Sequence, residues 1–206
     1  MIAIIDYDMG NVGSIQNMLE HLGVDAVITG NHQDILKADQ LIIPGVGSFD
    51  VGMKNLIDRG LDQVIKEFAL KLKKPVLGIC LGMQLLGLSS EEGTLPGLGL
   101  IDFNNVKFRP AQELNLRVPH MGWNTVNVHG MDPITKDVDH TYRFYFVHSY
   151  YAKCNHDENI LMSADYGMEF TAAVKNGFIY GVQFHPEKSH HFGMTILNNF
   201  ARLSHV

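Results

Sequence analysis

The chain has 206 residues, 46% of them hydrophobic and 18% charged, with a formal net charge of −6 and two cysteines. A chain of this length buries roughly 70% of the surface its unfolded form exposes, which suits one domain over residues 1–206. The acidic balance excludes a general nucleic-acid binder, which needs clustered Lys and Arg, and no apolar run approaches the roughly 20 residues of a membrane-spanning helix.

In chain order, "IAII" (Ile2–Ile5) reads as a buried strand without a basic leader, which points away from secretion. "NVGSIQNMLEHLG" places Val12, Ile15, Met18, Leu19 and Leu22 at helical spacing, with Asn11 as N-cap and Gly23 just past the end. "VDAVI" and "QLIIP" read as strands around a short helix. "SFDVGMKNLIDRG" and "LDQVIKEFALKL" read as helices, and "PVLGI" as the next strand. Strands separated by helices imply parallel βαβ units in an open sheet covered on both faces. The second half changes character: "NVKFR", "WNTVNV", "YRFYFV", "TAAVK" and "FIYGVQF" are strand-like, and "HHFGMTILNNFARL" closes the chain as an amphipathic helix. The expected fold is therefore α/β, a mainly parallel central sheet with flanking helices and additional antiparallel strands.

Cys80 lies in Gly78-Ile79-Cys80-Leu81-Gly82, between an apolar strand and the helical pattern Met83 to Leu88. That is the form of a nucleophile elbow with cysteine in place of serine. Glycines on both sides suit a tight turn, the helix dipole favours a thiolate, and the Leu81 N–H can face a developing oxyanion. A free thiol is only a few per cent ionised at neutral pH, so a base is expected nearby in space. "YGVQFHPEKS" supplies one. His185 ends the apolar run Phe178–Phe184, and continued extension through Pro186 puts Glu187 on the same side, where it can fix the imidazole. Taken alone, His-Pro-Glu reads equally well as a surface turn. "PGVGSF", Pro44 to Phe49, follows another apolar strand, so it lies at the same sheet edge, where ligands of open α/β sheets bind. Val46 or Gly47 can offer a second backbone N–H to an oxyanion there. It lacks the Gly-Lys-Ser/Thr of a phosphate-binding loop.

The remaining candidates read more plainly. Cys154 has no elbow and is an incidental thiol; the two cysteines form no CxxC pair, which fits a reducing cytoplasm. His148 ends a strand and reads as structural or substrate-lining. His190 and His191 complete no recognisable metal-ligand spacing. Trp123 reads as core on composition alone.

These three elements, in this order, resemble class I glutamine amidotransferases. Across nearly the whole chain the likeness extends to the glutaminase subunits of imidazole glycerol phosphate synthase, carried by "PGVGSF", "GICLGMQLL", "RVPHMGWN" with "FVHSYY", and "GVQFHPEKS". "PHMGWN" discriminates, because glutaminases serving GMP or anthranilate synthesis lack it. The resemblance implies a flavodoxin-like glutaminase domain with Cys80 as nucleophile, His185 as general base and acid, and Glu187 as third member. It implies that Gln84, the Gly47 loop and the backbone around Ser149 and Tyr150 hold L-glutamine, with Glu92 near the substrate amino group. Adjacent Glu91 is the alternative for that last role. Ammonia would pass to a (β/α)8 cyclase/synthase subunit that combines it with a phosphoribulosyl intermediate of histidine synthesis, docked near Asn11 and Trp123. No cofactor, metal, nucleic acid or membrane is implied. Two departures stand out: Asp8 where the family usually has glycine, and Gly87-Leu88 in place of an aromatic-acidic pair.

Overall fold

The computed structural model of the chain describes residues 1–110, 113 and 115–203. In its first half, β1 (Ile2–Ile5), β2 (Ala26–Thr29), β3 (Gln40–Ile43) and β4 (Val76–Ile79) alternate with α1 (Val12–His21), α2 (His32–Lys37), α3 (Phe49–Asp58) and α4 (Leu61–Lys66). The last of these widens into a π turn over Glu67–Lys71. Next come α5 (Leu81–Leu85), β5 (Ser89–Ser90), β6 (Phe103–Lys107), β7 (His120–Thr125), β8 (Asn127–Val128), β9 (Arg143–His148) and β10 (Tyr150–Cys154). The chain finishes with β11 (Ile160–Asp165), β12 (Glu169–Asn176), β13 (Ile179–Val182) and α6 (His190–Ala201).

Among the described residues the main sheet runs β2-β1-β3-β4-β13-β12-β10-β6-β5, with β11 on β12 and β8 on β11. From β2 to β13 every pairing is parallel; β12, β10 and β6 then continue antiparallel. β7 and β9 form a separate antiparallel pair. The expected mainly parallel sheet with added antiparallel strands is what the chain builds. β5, β10 and β11 were not anticipated: β5 is two serines, and β11 alternates too little to announce a strand.

Side-chain alternation explains why both faces are covered. Ile2, Ile4, Ile42, Leu77 and Ile79 pack in one layer with Ile15 and Leu19 of α1 and Ile196, Leu197 and Phe200 of α6. Ala3, Ile5, Leu41, Ile43 and Val76 face the opposite layer, under α3 and α4. A strand buried on both faces has no polar side, which is why these segments read as continuous apolar runs. Each fully buried Ile or Leu contributes about 2 kcal/mol.

Both departures have local causes. Asp8 adopts a left-handed φ of 64°, which Asp tolerates, and its carboxylate pairs with Arg59. At Gly87 a Cβ would lie 2.5 Å from the Phe103 ring, so no larger side chain fits there.

Candidate active site

β4 and β13 are parallel neighbours, with Ile79 opposite Val182. Their C-terminal ends therefore deliver Cys80 and His185 to the same edge of the sheet, and the Cys80 N–H donates to the Val182 carbonyl at 2.8 Å. Cys80 stands at φ 53°, ψ −108°, between β4 and the start of α5, as a nucleophile elbow requires. The turn is held by close backbone approach. A Cβ on Gly82 would meet the Ile43 carbonyl oxygen at 1.8 Å, and one on Gly78 would meet the Gly82 oxygen at 2.6 Å. The exiting helix is Leu81–Leu85, earlier and shorter than the pattern Met83 to Leu88 suggests.

His185 and Glu187 meet, though not by continued extension of the chain. Pro186–Lys188 forms a single 3-10 turn instead, and this turn folds Glu187 back so that Oε1 lies 2.7 Å from His185 Nδ1. Both side chains are buried, 1% and 3% exposed, which shields their interaction from solvent. Glu187 as acceptor sets the proton on Nδ1, leaving Nε2 for another partner. That Nε2 is buried with no hydrogen bond of ordinary geometry. Burial works against the charged imidazole, but interactions with Cys80 and Glu187 outweigh it and raise the His185 pKa to about 9. Carboxylate and sulfur thus both favour the charged form of this imidazole.

A cleft of about 280 Å³ opens over this pair, lined by Cys80, His185, Val46, Gly47, Leu81, Gln84, Glu92, His148, Ser149 and Tyr150 among others. All the residues expected to touch substrate thus meet in one place. Glu92 rather than Glu91 faces the cleft; its Oε2 accepts from the Phe49 N–H at 2.8 Å, whereas Glu91 turns away to the Lys107 N–H and Arg109. Gln84 donates to the Tyr150 carbonyl at 3.2 Å and to Gln183 Oε1 at 3.1 Å.

The oxyanion cradle differs from expectation. The Leu81 N–H is not free: it donates to the Gly45 carbonyl at 3.3 Å. That carbonyl belongs to the same peptide as the Val46 N–H, and carbonyl and N–H of a trans peptide point opposite ways. In this conformation the Leu81 and Val46 N–H groups therefore do not converge. The loop itself is anchored one residue earlier, where the buried Tyr7 hydroxyl donates to the Pro44 carbonyl.

Gln183 escaped the sequence reading. It is fully buried, and its Nε2 donates to the Cys80 sulfur at 3.8 Å. A lone polar residue inside the apolar run "YGVQF" was the available signal. Cys154 is half-buried beside a wider groove of about 510 Å³, and burial pushes its thiol up to about 11, so it is no competing nucleophile.

Asn11 caps α1, accepting from the Ser14 N–H, in the loop that leaves β1 at the active edge. Trp123 is 44% exposed rather than core; with Met121 at 60% it forms an outward apolar pair on β7. Its indole stacks on His190, whose ring is 5.5 Å away and nearly parallel, five residues beyond His185. His190 and His191 join no metal cluster: among the described residues no three His, Cys, Asp or Glu side chains are grouped to hold an ion. No helix there is long and apolar enough to cross a membrane.

Residues 3–203 match the family described as glutamine amidotransferase class-I. The chain is similar to imidazole glycerol phosphate synthase subunit HisH 2 of Methanococcus maripaludis, 53% identical over 202 residues, covering 98% of this chain and 99% of that one. It is 48% identical to the protein of the same name from Pseudomonas aeruginosa, over 98% of this chain and 100% of that one. The structure of PurLQS from Thermotoga maritima shares the fold, with a TM-score of 0.70 at 18% identity over 97% of this chain and 96% of that chain.

Proposed function

Because the chain belongs to the class-I glutamine amidotransferase family, we infer that it is the glutamine-hydrolysing subunit of an imidazole glycerol phosphate synthase, releasing ammonia for histidine biosynthesis. The observation that carries the chemistry is the delivery of Cys80 and the His185–Glu187 pair to one sheet edge by adjacent parallel strands.

The Cys80 thiolate attacks the side-chain carbonyl carbon of glutamine, and the carbonyl electron pair moves to oxygen. Collapse of that adduct breaks the C–N bond as the His185 imidazolium gives its proton to the departing nitrogen, which leaves as ammonia. A γ-glutamyl thioester remains on Cys80. His185, now neutral, takes a proton from water as the water attacks; glutamate leaves and the sulfur is restored. Glu187 holds the ring orientation and stabilises its positive charge. Glu92 supplies a fixed negative charge for the substrate ammonium, and Gln84 with the Ser149–Tyr150 backbone shapes the cleft. A thiol kept reduced suits the cytoplasm.

Ammonia passes to a (β/α)8 cyclase/synthase subunit, with the exposed Met121–Trp123 pair and Asn11 at the docking face. The deciding measurement is glutamine turnover with and without that synthase and its nucleotide substrate. Cys80→Ala is expected to abolish glutamine-dependent synthesis and leave ammonium-dependent synthesis intact; equal loss of both would overturn the assignment.

A further inference from the structure

β7 and β9 bring two histidines together, His120 opposite His148, and both are buried. His148 Nδ1 lies 2.8 Å from the Tyr150 carbonyl, and a carbonyl only accepts, so this nitrogen carries the proton. In the neutral ring Nε2 is then an acceptor, and His120 Nδ1, 3.0 Å away, must be its donor. That leaves His120 Nε2 bare, facing the Asn124 Nδ2 amide at 3.4 Å. The amide cannot turn over to suit another arrangement. Its Nδ2 also donates to the Asp165 carbonyl at 2.7 Å, and its Oδ1 accepts from the Thr125 N–H at 2.9 Å. The run is thus fixed from both ends, and each ring must bear its proton on Nδ1.

The rings are also held sideways. His120 is sandwiched between Phe146 and Tyr166, with ring centroids 5.0 and 4.2 Å away. Burial lowers the pKa to about 4 for His120 and about 3 for His148, which keeps both neutral at pH 7. Such a pair is not a general base: the His148 Nε2 lone pair is spent on His120, and the His120 Nε2 lone pair on the Asn124 amide. What it can do is hold a backbone. The Tyr150 carbonyl takes His148 and Gln84 together, and the neighbouring Ser149 carbonyl takes the Phe108 N–H at 2.8 Å. Both carbonyls of this part of the cleft wall are therefore tied down.

We propose that His120 and His148 are positioning residues for glutamine, two neutral imidazoles in fixed tautomers that hold the Ser149–Tyr150 wall of the cleft in register with the strand carrying Trp123. The inference rests on the glutaminase reading of that cleft.

The test begins with long-range proton–nitrogen NMR correlation on the full chain labelled at histidine nitrogens. Both rings are expected as Nδ1–H tautomers at pH 7; an Nε2–H tautomer or an imidazolium at either position overturns the relay. His120→Phe keeps the aromatic sandwich but removes the donor to His148, and with the synthase present it should raise the glutamine KM roughly fivefold while kcat stays within about twofold. His120→Asn, whose amide nitrogen falls near the position of Nδ1, should bring KM most of the way back to the wild-type value. Equal KM values for the two variants would overturn the proposal, because a merely structural role gives no such rescue. A wild-type chain without glutamine turnover would overturn the glutaminase reading first, whereas turnover with wrong tautomers removes the relay alone.

Discussion

Gly82→Ala tests why Cys80 stands where it does. The added Cβ would sit 1.8 Å from the Ile43 carbonyl oxygen and 2.7 Å from its carbon, both of them backbone atoms of β3. Ordinary carbon–oxygen contacts fall near ~3.4 Å, so α5 and β3 must separate by roughly 1.5 Å. Overpacking by one methyl costs about 1–3 kcal/mol where side chains can yield, and here none can, so about 3 kcal/mol is expected. For a chain of this size that lowers the melting temperature by roughly 6–12 °C in calorimetry. Gly13→Ala is the matched control: nothing lies within 4 Å of its Cβ, and in the first turn of α1 it should leave stability unchanged or raise it by up to about 0.5 kcal/mol. The displaced elbow should also slow alkylation of Cys80 in the folded protein. A Gly82→Ala protein that melts within about 2 °C of wild type with unchanged Cys80 reactivity would refute the argument that backbone contact with β3 sets the elbow.

Glu187→Gln removes one of the groups that raise the His185 pKa; kcat for glutamine should fall roughly 100-fold or more, and the alkaline limb of its pH profile should move to lower pH. An unmoved limb would count against the pair. Folded His185 titrates at about 9 and the unfolded residue near ~6.5, so its stabilising contribution is fully present below about pH 6.5 and is lost as pH rises through about 9. Urea titrations at several pH values should show wild type losing on the order of 3 kcal/mol over that window relative to His185→Gln; parallel curves would sink the idea. A glutamine analogue bearing an aldehyde in place of the amide adds to Cys80 and places an oxygen where the oxyanion forms. The Leu81 N–H should then leave the Gly45 carbonyl, seen as a shift of the Leu81 amide resonance, and a static resonance would exclude Leu81 as donor.

The parallel half of the fold is legible because β1, β3, β4 and β13 are buried on both faces and alternate with amphipathic helices, whose ends Asn11 and Gly23 mark for α1. Helix boundaries after the elbow and the strands β5, β10 and β11 were not legible, since their pairing comes from long-range contacts rather than local pattern. The sequence leads to the meeting of His185 with Glu187 by the wrong route: period-two extension would place them on one side, whereas a 3-10 turn makes the contact. Trp123 shows the limit of composition, for tryptophan is usually buried, and only the pairing of β7 with β9 turns it outward. Gln183, just past β13, and His120 and His148, at the ends of β7 and β9, are buried polar residues, and a sequence alone does not say which of them find partners.

The parts of the site are held by constraints of unequal strength. The elbow is fixed by backbone contact that no rotation relieves, and the base by a buried contact with a carboxylate. The cradle is held by one 3.3 Å hydrogen bond from Leu81 to a glycine-flanked peptide. Such a bond contributes about 1 kcal/mol net, while an oxyanion donor is worth about 3–4 kcal/mol in the transition state. Exchanging the first for the second is favourable once an oxyanion forms, and unfavourable before it does. The nucleophile and base are therefore ready in the resting protein, and the cradle is the part whose assembly the reaction itself must drive.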